Sequence, residues 1–75
     1  MHVELITRAG CHLCEEAVAA LEAAGRRPDA VRDVDADPEL FRLYDFRVPV
    51  VIVDGKVVAE GRVSKERLRQ VLSKG

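Results

Sequence analysis

A short apolar segment at the start of the chain runs directly into an amphipathic one, and this order constrains the fold more than any other feature. Val3 to Thr7 predicts a buried strand, because its apolar residues include the β-branched Val3 and Ile6. From about Cys11 to Ala24, apolar side chains recur at intervals of three and four residues, which predicts a helix with one buried face. These side chains belong to Leu13, Ala17, Ala20, Leu21 and Ala24.

The segment after this helix is predicted to return to the sheet. Gly25 tolerates positive φ and suits the end of the helix. Ala30 to Asp35 then indicates a second strand, and its charges at Arg32, Asp33 and Asp35 suit a sheet edge. A strand, a helix and a strand in this order predict a βαβ unit with parallel strands and a right-handed crossover.

The second half of the chain predicts a short helix, a hairpin and a covering helix. Asp37 supplies an N-cap and Pro38 a first helical residue for a helix that ends near Tyr44. Asp54-Gly55 between two β-rich runs predicts a tight hairpin turn. The hairpin strands are Val50 to Val53 and Lys56 to Glu60. Ser64 is predicted to cap a last helix that ends near Ser73. The charged residues of this helix are predicted to form a solvated face, and they are Lys65, Arg67, Arg69 and Lys74.

The predicted element order is therefore β-α-β-α-β-β-α, and the predicted fold class is α/β. A four-stranded mixed sheet flanked by helices accommodates both the parallel unit and the antiparallel hairpin. The 75 residues permit a single domain over 1–75. An apolar fraction of 48% is ordinary for a globular protein and argues against disorder.

Charge and hydropathy exclude several classes of function. The 12 basic and 13 acidic residues nearly cancel, so a net charge of −1 provides no electrostatic footprint for nucleic acid or an anionic membrane. No apolar run approaches the roughly 20 residues that span a bilayer. Glu4 stands where the apolar region of a secretory signal would lie, so we expect a cytoplasmic protein. We also expect the protein to be a monomer.

Cys11 and Cys14 form a C-x-x-C pair at the predicted start of the first helix. A close pair in a reducing cytosol suits redox or metal chemistry better than a structural role. Positions i and i+3 are neighbours in a helical turn, which allows a local disulfide. A helix N-terminus favours an anion and lowers a thiol pKa from about 8.5 into the range of roughly 3.5–7.5. Cys11 is therefore the predicted nucleophile, and Cys14 the resolving thiol that breaks a mixed disulfide.

Two residues near this pair, and two just before Pro49, have two interpretations each. Arg8 and His12 place positive charge near Cys11, but each is equally well interpreted as a solvent-facing residue without a role in catalysis. Tyr44 and Phe46 are predicted to join the core rather than to line a substrate groove. For the cysteines, a pair of small core residues is the weaker interpretation, because a strand, a loop, C-x-x-C and a helix follow in succession.

The chain offers few ligands for a metal. A structural zinc site takes four ligands, and here only Cys11, Cys14, His2 and His12 are available. On a helix His12 points away from the cysteines, so we predict no metal site and no cofactor within one chain. An iron–sulfur cluster or zinc ion that bridges two subunits through Cys11 stays an alternative, because soft thiolates bind both. A third hypothesis is an interaction module on a redox fold that has lost turnover.

At this point the chain resembles the glutaredoxin-like branch of the thioredoxin superfamily, over nearly its whole length. The resemblance rests on Thr7-Arg8-Ala9-Gly10-Cys11-His12-Leu13-Cys14 after the first strand, on Arg47-Val48-Pro49-Val50, and on Asp54-Gly55 followed by Glu60-Gly61. It implies a thioredoxin-like fold and thiol–disulfide exchange. It also places Arg8 at a position where glutaredoxins carry a lysine.

The resemblance implies a substrate-binding loop at Pro49. The family carries a cis-proline before the third strand, opposite the dithiol, and Pro49 stands at that position. The Val48 backbone is then expected to pair with an extended substrate beside Cys11, in the manner of strand addition.

Two segments depart from the family pattern. His12 and Leu13 replace the proline and tyrosine that glutaredoxins commonly carry between the cysteines. The Gly-Gly-x-Asp segment that holds glutathione appears as Gly61-Arg62-Val63-Ser64, without the second glycine and the acid. Arg62 and the helix N-terminus at Ser64 are candidates to receive a carboxylate instead. Glutathione therefore stays an open partner.

The sequence thus predicts a small thiol–disulfide oxidoreductase that reduces protein or low-molecular-weight disulfides. A thiol or a reductase is the expected electron donor. Cys11 and Cys14 are the predicted catalytic residues, and the substrate-binding candidates are Arg8, His12, Val48, Pro49, Gly61 and Arg62.

Overall fold

The computed structural model describes residues 1–73, which form one four-stranded sheet with helices on both faces. The strands are β1 (Val3–Thr7), β2 (Ala30–Asp33), β3 (Val50–Val53) and β4 (Lys56–Glu60), and the helices are α1 (His12–Ala23), α2 (Pro38–Tyr44) and α3 (Lys65–Leu72). The predicted element order and mixed sheet are confirmed. Lys74, predicted to lie on the solvated face of α3, falls outside the described residues.

The sheet has the strand order β2-β1-β3-β4, which places β1 near its centre and β2 at an edge, as the charges of β2 predicted. β1 pairs in parallel with β2 and antiparallel with β3. Near the end of β1, Ile6 lies opposite Val50, the first residue of β3. The loop that leaves β1 and the loop that enters β3 therefore meet at one end of the sheet.

The predicted hairpin joins β3 to β4 through Asp54 and Gly55. Both residues have positive φ, at 50° and 83°. This pair of conformations matches the right-handed twist of the flanking strands, and Asp-Gly adopts it readily. The turn brings Val53 opposite Lys56 and starts the antiparallel ladder.

The two faces of the sheet have separate apolar clusters, because side chains alternate along each strand. Leu5 points to the face covered by α1 and α3, and Ile6 to the face covered by α2. The first cluster buries Val3, Leu5, Ala17, Leu21, Val51, Val53, Val63 and Leu68. The second buries Ile6, Val34 and Val50.

The second strand is shorter than predicted. β2 ends at Asp33, and Val34–Ala36 form a single 3-10 turn. The Asp33 carboxylate accepts a hydrogen bond from the backbone N–H of Asp35 at 2.9 Å and so caps this turn. The turn buries Val34 completely beneath the α2 face. In a strand that continued to Asp35, the side chains of Val34 and Asp35 would lie on opposite faces of the sheet. The Asp33 carboxylate would then have no turn to cap.

The prediction that Phe46 joins the core is wrong. Its side chain is 98% exposed, whereas Tyr44 packs against the smaller cluster as predicted. The chain turns sharply after α2, and the Arg47 N–H donates to the Tyr44 carbonyl at 2.9 Å. That turn carries Phe46 away from the sheet.

Within residues 1–73 no helix has both the length and the apolarity needed to cross a membrane.

Candidate active site

Cys11 and Cys14 are joined by a disulfide at the N-terminus of α1, with their Cα atoms 5.2 Å apart. Cys11 is the N-cap of the helix, with extended backbone angles, and its sulfur accepts a hydrogen bond from the Cys14 N–H at 3.1 Å. Gly10, at a φ of 72°, permits the turn that leads from β1 into this cap. The local backbone therefore places one sulfur at the positive end of the helix dipole.

The two cysteines differ in exposure. Cys14 is only 4% exposed and lies inside the first turn of α1, whereas Cys11 is half-buried at the tip. An incoming sulfur must approach along the line of the bond it attacks, so the outer cysteine is the accessible one. The difference agrees with the predicted division into nucleophile and resolving thiol, and those roles stay predictions.

A cavity of about 220 Å³ opens beside the disulfide on the β2 side. Both cysteines line it, and Val18 of α1 and Val31 of β2 give it an apolar wall. Val31 is 60% exposed, because β2 is an edge strand and no helix covers it there. Val18 and Val31 were not predicted as site residues. A signal for Val31 was present, since β2 otherwise consists of Ala30 and the charged Arg32 and Asp33.

Arg8 also lines this cavity, but its guanidinium is held by two carboxylates. It donates from Nε and Nη2 to both carboxylate oxygens of Asp35, at 2.9 and 3.0 Å. It donates from Nη2 to the Asp45 carboxylate and from Nη1 to the Asp45 carbonyl, the latter at 3.1 Å. We call these three residues the Arg8 clasp. It ties the β1–α1 loop to the 3-10 turn and to the segment that leads towards Pro49.

The clasp explains two shifts in protonation equilibria. The hydrogen bonds from Arg8 hold the pKa of the Asp35 carboxyl below its usual range. In return, hydrogen bonds to Asp35 and then to Asp45 raise the pKa of the Arg8 guanidinium above its ordinary value. Sequence reasoning missed both aspartates, because they stand 27 and 37 residues after Arg8 and no local pattern links them.

The Val48–Pro49 peptide bond is cis, as the family resemblance implied. Pro49 is buried at the end of the sheet that carries the dithiol, next to the start of β3. In the described chain, neither the N–H nor the C=O of Val48 has a backbone hydrogen-bond partner. The Val48 backbone is therefore available for pairing with an extended chain, and its role in substrate binding stays a prediction.

The Gly61-Arg62 segment lies directly against the Pro49 loop. The Gly61 N–H donates to the carbonyls of Arg47 and Pro49, at 3.1 and 2.9 Å. Gly61 reaches this position with a φ of 69°. Its N–H is thus occupied within the chain, while the Arg62 side chain is exposed to solvent.

His12 projects away from the cavity. Its side chain is 85% exposed and lies 3.8 Å from the Glu15 carboxylate and 3.4 Å from the Glu16 carboxylate. This position follows from the helix geometry, because residues three and four apart share a face. The structure does not bring His12 into the group formed by the cysteines, Arg8 and Pro49.

Metal binding would need additional ligands. Among residues 1–73, no group of three His, Cys, Asp or Glu side chains is placed to hold an ion. A cluster bridging two subunits would draw ligands from a second chain, and that alternative stays a hypothesis.

A C-x-x-C pair at a helix N-terminus, on a mixed sheet with a cis-proline at the same end, defines the thioredoxin-fold class of proteins. Comparison with a family model narrows the assignment. The model described as "Glutaredoxin-like domain (DUF836)" matches residues 2–73. The chain therefore belongs to this glutaredoxin-like family, and its cysteine pair supports a redox function.

Solved structures agree with this assignment. The X-ray structure of XcR50 from X. campestris is 32% identical, with a TM-score of 0.86 and 97% of each chain covered. Ne2328 from Nitrosomonas europaea is 28% identical, with a TM-score of 0.76 over 93% of this chain and 88% of that one. The thioredoxin-like protein BC3987 is 30% identical, with a TM-score of 0.70 over 92% of this chain and 97% of that one. Among proteins with curated annotation, none matches this chain.

Proposed function

We propose that the protein is a dithiol–disulfide oxidoreductase that reduces protein or low-molecular-weight disulfides with Cys11 and Cys14. The observation that carries the proposal is the unequal placement of the two sulfurs. Cys11 caps α1 and accepts a backbone N–H, while Cys14 is 4% exposed one turn further in. A thiolate at the cap is stabilised by that N–H and by the helix dipole, which is the setting that activates cysteine.

The reaction proceeds in two exchanges. In the reduced protein, the Cys11 thiolate attacks one sulfur of a substrate disulfide, whose S–S bond breaks and releases a thiolate that takes a proton from water. Cys14 then loses its proton and attacks the Cys11 sulfur of the mixed disulfide, which releases the second substrate thiol. The substrate gains two electrons and two protons, and the protein ends with the Cys11–Cys14 disulfide.

A further turnover needs a thiol reductant. A low-molecular-weight thiol or the dithiol of a reductase attacks the Cys11–Cys14 disulfide by the same exchange and becomes oxidised itself. The Cα separation of 5.2 Å lies within the range of about 4.4–6.8 Å that a disulfide requires, so the pair can open and close without a large movement of α1.

Val48 and Pro49 are proposed to align the substrate. The N–H and C=O of Val48 have no backbone partner in residues 1–73, and both lie at the end of the sheet that carries Cys11. An extended segment on either side of a substrate cysteine can pair with these groups, as in strand addition. Such pairing holds the substrate sulfur without a requirement for particular side chains.

Two serine variants test the mechanism. The reduced wild-type protein, Cys11→Ser and Cys14→Ser are each mixed with the neutral bis(2-hydroxyethyl) disulfide, and the products are measured by intact mass and thiol release. We expect the wild-type protein to release two thiols and form its internal disulfide. Cys14→Ser should stop at the mixed disulfide on Cys11, and Cys11→Ser should not react at a measurable rate.

Alkylation provides an independent check of which sulfur is activated. Iodoacetamide at neutral pH should modify Cys11 of the reduced protein much faster than Cys14, because only the cap sulfur is both accessible and stabilised as a thiolate. An unreactive Cys11 would contradict the mechanism. Purification without oxygen tests the bridging-cluster alternative, since a coloured or metal-containing dimer would favour it and a colourless, metal-free monomer would remove it.

A further inference from the structure

We propose that the dithiol selects neutral or cationic disulfides and discriminates against anionic ones, of which oxidised glutathione is an example. The proposal rests on the function proposed above and concerns the substrate class of the same site. Its basis is that the cation beside the disulfide is already neutralised, while carboxylates beside it are not.

Arg8 is the guanidinium that lines the cavity beside the cysteines, and the clasp uses most of its donors. Four hydrogen bonds run from Nε, Nη1 and Nη2 to Asp35 and Asp45. A guanidinium has five N–H donors, so little remains for a ligand carboxylate. Because each aspartate contributes one negative charge, the clasp as a whole is anionic. Arg8 therefore does not provide a net positive charge to an approaching substrate.

Two glutamates add to this charge. Glu15 lines the cavity, and Glu16 follows it on the first turns of α1. Their carboxylates lie near His12, whose side chain is 85% exposed. We call Glu15, Glu16, Asp35 and Asp45 the acidic collar. Asp35 and Asp45 share the single guanidinium of Arg8, and Glu15 lines the cavity beside the cysteines.

Other cations near this end do not reverse the sign. Arg47 is paired with Glu60, to which its Nε donates at 2.8 Å. Arg62 is the remaining exposed guanidinium on the loop next to Pro49, and it offsets one charge of the collar. The collar stays net negative with Arg62 included. Since the whole chain carries only −1, the dithiol end is more negative than the molecule as a whole.

The cavity itself suits an apolar group without negative charge. Val18 and Val31 provide its apolar wall, and Glu15 is the charged group at its rim that has no Arg or Lys partner among residues 1–73. A substrate group entering here gains apolar contact and meets a carboxylate. A cationic or uncharged substituent on the disulfide is therefore favoured over a carboxylate.

Salt dependence tests the proposal directly. The reduced protein is mixed with the dicationic cystamine, the neutral bis(2-hydroxyethyl) disulfide and the dianionic oxidised glutathione, and the second-order rate of dithiol oxidation is measured at low and high salt. Attraction and repulsion are screened by salt, so we expect the cystamine rate to fall, the glutathione rate to rise and the neutral rate to stay constant. The direction of each change does not depend on the intrinsic reactivity of the disulfide. At low salt the ratio of the cationic to the anionic rate should exceed its high-salt value by about tenfold.

A double variant and a matched control assign the effect to the collar. Glu15→Gln/Glu16→Gln should reduce the low-salt ratio severalfold towards its high-salt value. Glu22→Gln removes one exposed carboxylate from the last turn of the same helix, away from the cysteines, and should leave the ratio unchanged.

The outcomes separate this proposal from the one it rests on. A neutral disulfide that fails to oxidise the dithiol at either salt concentration overturns the proposed function, and the substrate class with it. A neutral disulfide that reacts, together with cationic and anionic rates that do not respond to salt in opposite directions, overturns the substrate class alone. So does a Glu15→Gln/Glu16→Gln variant whose ratio equals that of the wild-type protein.

Discussion

The two faces of the sheet differ both in the length of the helices that cover them and in how closely those helices pack. On one face α1 and α3 bury eight residues in a continuous cluster, including Leu21 and Leu68 with no exposed surface. On the other face α2 contributes no fully buried residue, and the cluster buries only Ile6, Val34 and Val50. Two apolar side chains of α2, Phe41 and Leu43, are 45% and 40% exposed.

The two parts of the candidate site are therefore held in place by different kinds of contact. The helix that carries Cys11 is anchored by close apolar packing. The segment that leads from α2 to Pro49 is held instead by polar contacts, above all the Arg8 clasp, and by the hydrogen bonds from Gly61. Regions with few buried apolar contacts open at lower free energy than the core. We therefore expect the substrate-facing loop to be locally less stable than the dithiol helix, and the following substitutions test that order.

Leu21→Ala should have the largest effect on stability. Leu21 belongs to the apolar cluster of the α1–α3 face and is completely buried. Truncating a buried leucine removes apolar burial and leaves a cavity, which costs about 2–5 kcal/mol of the free energy of unfolding. Urea denaturation of the reduced protein measures this loss. Glu22→Ala at the adjacent exposed position is the control and should change the free energy by less than about 0.5 kcal/mol.

Val34→Ala should have a smaller effect, although Val34 is as completely buried as Leu21. The substitution removes two methyl groups, worth about 0.8 kcal/mol each in apolar burial, so we expect the free energy of unfolding to fall by about 1.6 kcal/mol. The thin cover of the α2 face allows neighbouring side chains to relax into the space. A loss as large as that of Leu21→Ala would show that the two faces are equally well packed, and it would contradict the difference in packing described above.

Arg8→Gln should weaken the clasp and change how steeply the free energy of unfolding falls at acid pH. The hydrogen bonds from Arg8 depress the pKa of Asp35 in the folded protein, while an unfolded aspartate has a pKa of about 3.9. A group with a depressed folded pKa stabilises the fold above the unfolded pKa, and this contribution is lost as pH falls through the folded value. In Arg8→Gln, the free energy of unfolding should therefore fall less steeply below about pH 4 than it does in the wild-type protein. At pH 7, Arg8→Gln should lower the free energy of unfolding by less than Val34→Ala does.

Urea denaturation between neutral and acid pH measures this change. Part of the fall at acid pH should persist in the variant, because Asp29 also has a lowered pKa through its hydrogen bond from the Val3 N–H. Arg69→Gln, on the exposed face of α3, is the matched control and should leave the fall at acid pH unchanged. If Arg8→Gln and the wild-type protein lose stability in parallel below pH 4, the clasp does not hold the α2 face.

The same contrast explains what the sequence predicted well. Elements on the α1–α3 face have strong local signals: alternating or periodic apolar residues, the Asp54-Gly55 turn, and caps such as Ser64, whose hydroxyl accepts from the Arg67 N–H at 3.1 Å. The C-x-x-C position at a helix start follows from the same signals. These features depend on residues close together in the chain, so the fold and the cysteine geometry were accessible to sequence reasoning.

The errors lie on the α2 side, where tertiary contacts decide the structure. The turn at Val34–Ala36 depends on the Asp33 cap and on the contact between Asp35 and Arg8, which is 27 residues distant. Phe46 was predicted to be buried because it is aromatic and follows a helix, but the turn closed by the Arg47 N–H and the Tyr44 carbonyl leaves its side chain in solvent. The partners of Arg8 were likewise set by the sheet topology rather than by any local pattern.

Phe46→Ser should have the smallest effect of the series, because it changes a side chain that the α2 face leaves in solvent. A side chain that is 98% exposed loses almost no burial on truncation, so the free energy of unfolding should change by less than about 0.5 kcal/mol. Phe41→Ser is the matched comparison on the same surface: its ring is 45% exposed and lies 5.9 Å from the Arg8 guanidinium carbon, and its loss should be clearly larger. If Phe46→Ser costs as much as Phe41→Ser, the segment between α2 and Pro49 packs against the protein in solution. Its support would then be apolar, like that of the dithiol helix, rather than the polar clasp.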